Sequence, residues 1–475
     1  AARAACAAAS DAARAPMGRR AAEFLAVFAT GDSVQVRLYL DSAVTRGTAP
    51  NPGFLARVMY LEWRNLRALA VRRTTPTGES SRDVLLQSEL TELWYRLRIG
   101  VEASAPHRVN MLIPFARTDP PADLAPAALR NPNDVAADLA RYVRKLAAAD
   151  AYSGNALLLK GGHELAALSV GSEDLARTRA NTADTRFNVG SMGKMFTAVA
   201  IAQLVEDGRL SFDTPVAEVL PDWPRREWAR AATIGHLLSH RSGLGNYMDH
   251  DDVRSGRVVL REIADYLPVI ADMSPGFAPG TGVAYSNSGF ALLGHVVERV
   301  TGESYRAYVA REVWGRAGMR ATAFLLPGAA AGQAEGQTWL PPLGGVPLAT
   351  RRSSTPMLGA WPGGADGGSY ATAADLARFF RAFAANRLVG ARTRAEMLTP
   401  RGVDPWTGAT YGYGFFVQAL PGGGRRYGHG GLVPGGNAWG AAFEPAGYTL
   451  IALSNFDAPT ADHVLGKTHG LVAGY

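Results

Sequence analysis

Three short segments of this chain carry residues that could act on a covalent bond. In the first, Phe187-Asn188-Val189-Gly190-Ser191-Met192-Gly193-Lys194, a serine and a lysine stand three residues apart. On a helix that separation puts both side chains on one face. A serine hydroxyl is a poor nucleophile unless a base takes its proton, and a lysine in a desolvated site is neutral enough to do so. A helix N-terminus favours the negative charge that develops at the reacting centre. Alone, the pair reads equally as an N-cap serine with a solvated lysine. In the second, Pro279 to Gly289, a Gly/Pro-rich loop presents Tyr285 and Asn287 two apart just before a helix, so both can point into one cleft. A ring-packing tyrosine and a turn-capping asparagine are the plainer alternatives. In the third, Tyr427-Gly428-His429-Gly430-Gly431-Leu432, a strand edge loses its side chains, which lets a substrate approach backbone N–H groups.

The elements that must position these segments follow from the pattern. The spacing predicts helices over 191–207, 233–239 and 289–300. Strands are predicted at 155–160 and 164–170, joined by the tight Gly161-Gly162 turn, and again at 413–419, 437–443 and 448–454. With strands at both ends and helices between, the sheet closes by pairing N-terminal with C-terminal segments, so residues 134–475 form one domain. Residues 118–133, with Pro120, Pro121, Pro126 and Pro132, read as a linker. Upstream, 18–117 reads as a small α+β domain: a helix containing Phe24, Leu25, Val27 and Phe28 that stops at Gly31-Asp32, a second over 54–69, then strands at 68–73, 84–86, 93–101 and 107–115. The Ala/Arg-rich stretch 1–17 is expected to be a trimmed export signal or a disordered terminus.

Composition narrows the function. The chain has 475 residues, 47% of them hydrophobic and 19% charged, and holds no apolar run of the ~20 residues that span a bilayer. Its net charge of +7 comes from 49 basic and 42 acidic residues, scattered among one another. No basic run follows a phosphate backbone, so nucleic-acid binding is not expected. One cysteine, Cys6, excludes an intrachain disulfide and a thiolate metal cluster. His236 and His240 are spaced as zinc ligands on a helix, but Leu237 stands where a metalloprotease needs Glu, and structural packing is the expectation. His250 among Asp249, Asp251 and Asp252 reads as a polar surface loop, and the Gly363-Gly364 and Gly367-Gly368 pairs as a flexible cleft wall.

In order and separation, the three segments resemble the serine β-lactamase and penicillin-recognising hydrolase superfamily, in its class C-like branch of D-amino-acid peptidases, class C β-lactamases and related esterases. The resemblance runs from about Asp134 to the C-terminus. It extends to Thr185-Arg186-Phe187, to 204–210, to 236–244 and to Gly367-Gly368-Ser369-Tyr370. It implies an antiparallel sheet flanked by helices with a helical subdomain, preceded here by the small α+β domain, for which a cone-shaped NTF2-like form is the expectation. It also implies that Ser191 is the acylated nucleophile, Lys194 its proton acceptor and Tyr285 the general base or acid. Asn287 would bind a substrate amide or orient Lys194, and the N–H groups of Ser191 and Leu432 would form the oxyanion hole.

The third segment departs from the lactamase pattern of Lys, then Ser or Thr, then Gly, a pair that grips the substrate carboxylate. Here His429 and Gly430 stand in those places, a partly charged imidazole and no hydroxyl, followed by Gly431. The expected substrates are therefore carboxylic esters first, then D-residue peptides or amides, then β-lactams, turned over without cofactor or metal. A non-catalytic penicillin-binding-like sensor is the rival class. The small domain's apolar sheet face needs a partner, which raises a homodimer. Location is expected to be periplasmic or secreted, with the cytoplasm as the alternative.

Overall fold

The computed structural model describes residues 16–45, 59–60, 62–126, 128–328, 331–339, 353–354, 361–403 and 408–473. The terminal stretch 1–15 and the start of the helix expected over 54–69 lie outside them. The chain divides into two compact units, the larger made of Leu129–Ala147 and Tyr152–Thr468. The boundary at residue 128 falls inside the proline-rich segment.

In the smaller unit, α1 (Pro16–Ala29) buries Met17, Ala21, Phe24 and Phe28, one stripe at helical spacing. Gly31-Asp32 ends it, but Asp32 also starts α2 (Ser33–Ala43), whose Val34 N–H it caps at 2.8 Å. This second helix was not expected, because the aspartate reads from sequence as a stop. The strands β1 (Leu69–Pro76), β2 (Ser81–Ser88), β3 (Trp94–Val101) and β4 (Val109–Thr118) form an antiparallel meander in that order. Val84, Leu86, Leu97 and Ile99 face α1 in a common core with Phe24 and Phe28.

The larger unit opens with α3 (Pro132–Ala148) and the hairpin β5 (Gly154–Lys160) and β6 (His163–Val170). Gly161 and Gly162 both have positive φ, as a two-residue type I′ turn requires. A short strand β7 (Phe187–Asn188) leads to α4 (Gly193–Glu206). Residues 193–204 of α4 are buried all round, so it is the central helix of the core. Of the helices that follow, α5 (Ile234–Leu238), α6 (Ile263–Asp272) and α7 (Asn287–Thr301), the last packs on α4 and the other two pack on α7. A two-residue ribbon follows, β8 (Gln337–Thr338) with β9 (Ser353–Ser354). Next come β10 (Tyr370–Ala371), which pairs with β7, and α8 (Ala373–Ala384). The strands β11 (Gly402–Val403), β12 (Thr410–Tyr411), β13 (Phe416–Ala419), β14 (Arg425–Val433), β15 (Gly436–Glu444) and β16 (Tyr448–Ser454) complete the sheet, and α9 (Thr460–Ala473) closes the chain.

The eight-stranded antiparallel order is β11-β12-β13-β14-β15-β16-β5-β6. β16 lies on β5, with Tyr448 opposite Lys160 and Ser454 opposite Gly154, the predicted closure of one end of the chain on the other. Of the strand expected over 413–419 only β13 (Phe416–Ala419) forms, because Gly414 turns the chain with positive φ where an added Cβ would lie 2.3 Å from that of Ala198 on α4. Among the described residues no helix is long and apolar enough to cross a membrane.

Candidate active site

Ser191 does not open an α-helix directly. It sits in a 3-10 turn, Gly190–Met192, that runs into α4. Two hydrogen bonds pin this turn to the segment before β10: Val189 N–H donates to Ser369 O at 2.9 Å, and Gly368 N–H to Gly190 O at 3.1 Å. β14 lies against its other side, where a Cβ on Gly431 would stand 1.9 Å from the Val189 oxygen.

Lys194, on the first turn of α4, has no solvent exposure. Its Nζ donates to Ser191 Oγ at 3.1 Å, to Asn287 Oδ1 at 2.6 Å and to the backbone oxygen of Asp366 at 2.6 Å. The last two partners are carbonyl oxygens, which only accept. When the amine is neutral, its two hydrogens satisfy them and its lone pair is left facing the serine hydroxyl. Burial holds the lysine far below its ordinary value, at about 7, against the opposing pull of the Asp366 carboxylate. A neutral amine aimed at Ser191 is thus well populated at neutral pH.

Tyr285 completes the group. Its hydroxyl is hydrogen-bonded with Ser191, and burial raises it above the ordinary tyrosine range, so it remains a protonated donor. The Tyr285 ring packs at a tilt against His240, 4.3 Å between centroids, and lies 4.9 Å from Lys194 Nζ. Ser286, not Asn287, caps α7, accepting from Gly289 N–H at 2.9 Å. Asn287 is thereby left to orient the lysine, and the capping alternative for it falls away.

The two histidines set apart as zinc-spaced are not on one helix. α5 ends at Leu238, and His240 follows in a left-handed conformation, φ 59°. Its Nδ1 accepts the Ser286 N–H at 3.1 Å, so it anchors the Tyr285 loop, while His236 Nδ1 accepts from Thr233 N–H as part of a capping box. His250 caps a short helix and faces Asp272. Among the described residues no group of three His, Cys, Asp or Glu side chains is placed to hold a metal.

Backbone donors come from β14. A two-residue turn joins it to β15, with Val433 opposite Gly436 and Leu432 opposite Asn437. Pairs alternate between hydrogen-bonded and non-hydrogen-bonded, so next to the turn-closing pair the Leu432 N–H points away from β15. A Cβ on Gly190 would lie 2.8 Å from that nitrogen, which puts the Leu432 N–H beside the Ser191 turn. The Leu432 side chain is 66% exposed.

His429 corrects its sequence reading. The imidazole was expected to be partly charged and to face substrate, but it is buried and held down to about 3 by burial and by Lys194. Its Nδ1–H donates to Gly430 O at 2.5 Å, and its Nε2 accepts the Tyr411 hydroxyl at 2.8 Å. Both nitrogens are used inside the protein, so it grips no substrate. Gly430 likewise lacks a side chain for a reason: a Cβ there would stand 2.6 Å from the Trp439 indole. Nor is the Gly363–Gly368 segment a loose cleft wall. Gly364 and Gly367 bridge each other, and the turn is buried against Gly190 with Asp366 at its tip. Sequence reasoning missed Asp366 and Trp439, and it expected His240 to pack without placing it at the Tyr285 loop. The one signal for Asp366 was a carboxylate inside a glycine-rich apolar run.

A serine hydrogen-bonded to a buried lysine and a protonated tyrosine, beside converging backbone N–H groups on this sheet, is an arrangement suited to a serine hydrolase. The Beta-lactamase family profile matches residues 139–474, and the chain belongs to that family. A penicillin-binding protein structure from Bacillus halodurans is 32% identical, with a TM-score of 0.60 over 72% of this chain and 99% of that one. The D-aminopeptidase of Cereibacter sphaeroides is 33% identical over 171 residues, 35% of this chain and 32% of the relative. Esterase EstB of Burkholderia gladioli is 34% identical over 183 residues, 36% of this chain and 46% of the relative.

Proposed function

We propose that this protein hydrolyses carboxylic esters through an acyl-enzyme on Ser191. The observation that carries the chemistry is the set of acceptors around Lys194, which leaves the lone pair of the neutral amine facing the serine. Lys194 takes the Ser191 proton as Oγ attacks the ester carbon, and the N–H groups of Ser191 and Leu432 receive the oxyanion. Tyr285 gives its proton to the departing alkoxide. In the second half, water returns a proton to Tyr285 and attacks the acyl carbon, while Lys194 returns the first proton to the released Ser191 oxygen. The sum is ester plus water to acid plus alcohol, with both proton carriers restored.

The ester preference rests on the third segment. A neutral, internally bonded His429 and a Gly430 closed in by Trp439 offer nothing to hold a substrate carboxylate, the group that fixes a β-lactam or a C-terminal D-residue. The match to EstB supports the same choice. The test is to compare kcat/KM on short p-nitrophenyl esters, a D-aminoacyl p-nitroanilide and nitrocefin. Esters are expected to lead by about ten- to a hundredfold, the value of one charge-assisted contact. Faster turnover of the anilide or of nitrocefin than of every ester would overturn the substrate class.

A further inference from the structure

Next to Lys194 lies a buried acidic residue that the hydrolytic scheme does not use. Asp366 is 3% exposed. Its backbone oxygen accepts from Lys194 Nζ, as described, and its Oδ2 accepts the Tyr247 hydroxyl at 2.7 Å. Its Oδ1 is buried with no hydrogen-bond partner among the described residues. A carboxylate oxygen in that state is costly unless a positive charge lies close by.

The hydrogen bonds that reach this carboxylate run one way. The indole N–H of Trp361 can only donate, and it does so to the Tyr266 oxygen at 2.7 Å. The Tyr266 hydroxyl is left free to donate in turn to Tyr247, with which it is hydrogen-bonded, and Tyr247 donates to Asp366. Burial raises the Asp366 acid above the ordinary carboxylate range, while the charge of Lys194 and the hydroxyl of Tyr247, last of three donors in series, pull it back toward the ionised form.

We propose that Asp366 is a positioning residue of this centre: its carboxylate, held at the end of the Trp361–Tyr266–Tyr247 chain, sets the proton occupancy of the amine that faces Ser191. The inference rests on the reading of Lys194 as the proton acceptor. Other titratable groups around Lys194 carry no competing charge. His240 and His429 are neutral, burial keeps Tyr285 and Tyr305 protonated, and Ser191 and Asn287 are uncharged. Arg306, on the far side of Tyr266, is committed to Glu262 and to the Gly363 oxygen. Burial alone would keep Lys194 neutral and weakly basic. Burial opposed by one fixed carboxylate gives an amine that is both free at neutral pH and able to hold the proton it takes.

The experiment is the pH dependence of kcat/KM on an activated ester for the full chain, with Asp366→Asn and Tyr247→Phe, each checked for folding by circular dichroism. Asp366→Asn is expected to move the acid limb to lower pH by about one unit or more, because the ammonium form loses its opposite charge. Tyr247→Phe weakens the ionised acid and is expected to move the limb the same way by less, and it carries the test should Asp366→Asn fail to fold. A merely structural Asp366 would lower the rate and Tm at every pH and leave the limb in place, which overturns the inference. Fluorophosphonate labelling of the wild type separates the two levels. Labelled Ser191 with an unmoved limb sinks this inference alone, whereas an unlabelled Ser191 sinks the acyl-enzyme reading with it.

Discussion

Gly367 lies backbone to backbone against Gly190, so close that a Cβ added to it would stand 2.4 Å from the Gly190 carbonyl oxygen and 3.1 Å from the Ser191 nitrogen. Its φ of 148° is one that side chains rarely adopt, so relief by local rotation is closed as well. Gly367→Ala is therefore expected to push the nucleophile turn out of place. A cost of about 1–3 kcal/mol in stability is typical of such overpacking, and kcat/KM is expected to fall tenfold or more. Calorimetry with steady-state kinetics checks both, and wild-type kinetics in this variant would show that the turn yields freely.

Ser191→Ala removes one hydroxyl from the pinned turn. Turnover and fluorophosphonate labelling are expected to vanish while the circular dichroism spectrum stays unchanged. Intact-mass detection of an adduct as strong as on the wild type would move the nucleophile elsewhere.

Lys194→Ala and Tyr285→Phe are each expected to slow acylation by roughly 10²-fold or more. Both groups contact Ser191, so the double variant is expected to be little worse than the poorer single one. Single-turnover kinetics across the four proteins reads this, and fully multiplicative losses would mean that the two act independently.

The lysine also predicts two pH effects of known sign. Its neutral form is the active one, so kcat/KM is expected to rise through about pH 7 and level off above it. Between about 7 and the ordinary value of 10.5, the unfolded chain holds a proton that the folded one has released. Stability from this group therefore rises with pH across that window, and its burial penalty is fully present below 7. Urea midpoints of wild type and Lys194→Met at pH 6.5 and 9.5 check it. The variant's advantage is expected to shrink at the higher pH.

Trp439 fills the space where a hydroxyl side chain at position 430 would stand. Gly430→Thr alone is expected to destabilise the sheet and to leave nitrocefin turnover unimproved. Combined with Trp439→Ala, it gains room, and nitrocefin turnover relative to an ester is expected to rise. A gain from Gly430→Thr alone, at unchanged Tm, would remove Trp439 from the argument.

The parts that act through local chemistry were legible in the sequence. Ser191, Lys194, Tyr285 and Asn287 stand out by spacing and loop composition, though only the three segments together, through the resemblance they carry, lift them above capping and packing residues. The closure of β16 on β5 follows from the placing of strands at the two ends. What remained hidden depends on tertiary contact. His429 looks like a partly charged, substrate-facing imidazole until Tyr411 and the Gly430 oxygen are seen to occupy it. Gly430 looks like a permissive gap until Trp439 fills the space beside it. Asp366 has no local motif, since its partners, Tyr247 and Lys194, meet it only through folding.

Those partners lie far along the chain: Lys194 is 93 residues from Asn287 and 172 from Asp366. β14 and its backbone donors come later still. Closing loops of that length carries an entropic cost that is met only by the folded core, so no short stretch of this polypeptide can hold the serine in its reactive state. During synthesis the chain stays chemically silent until its closing strands have joined the sheet. A partly opened molecule likewise loses its reactivity before it exposes a nucleophile to the wrong acyl donor. Reactivity toward a small phosphonate thus reports completed folding, and its loss during denaturation is expected to coincide with the unfolding of the sheet.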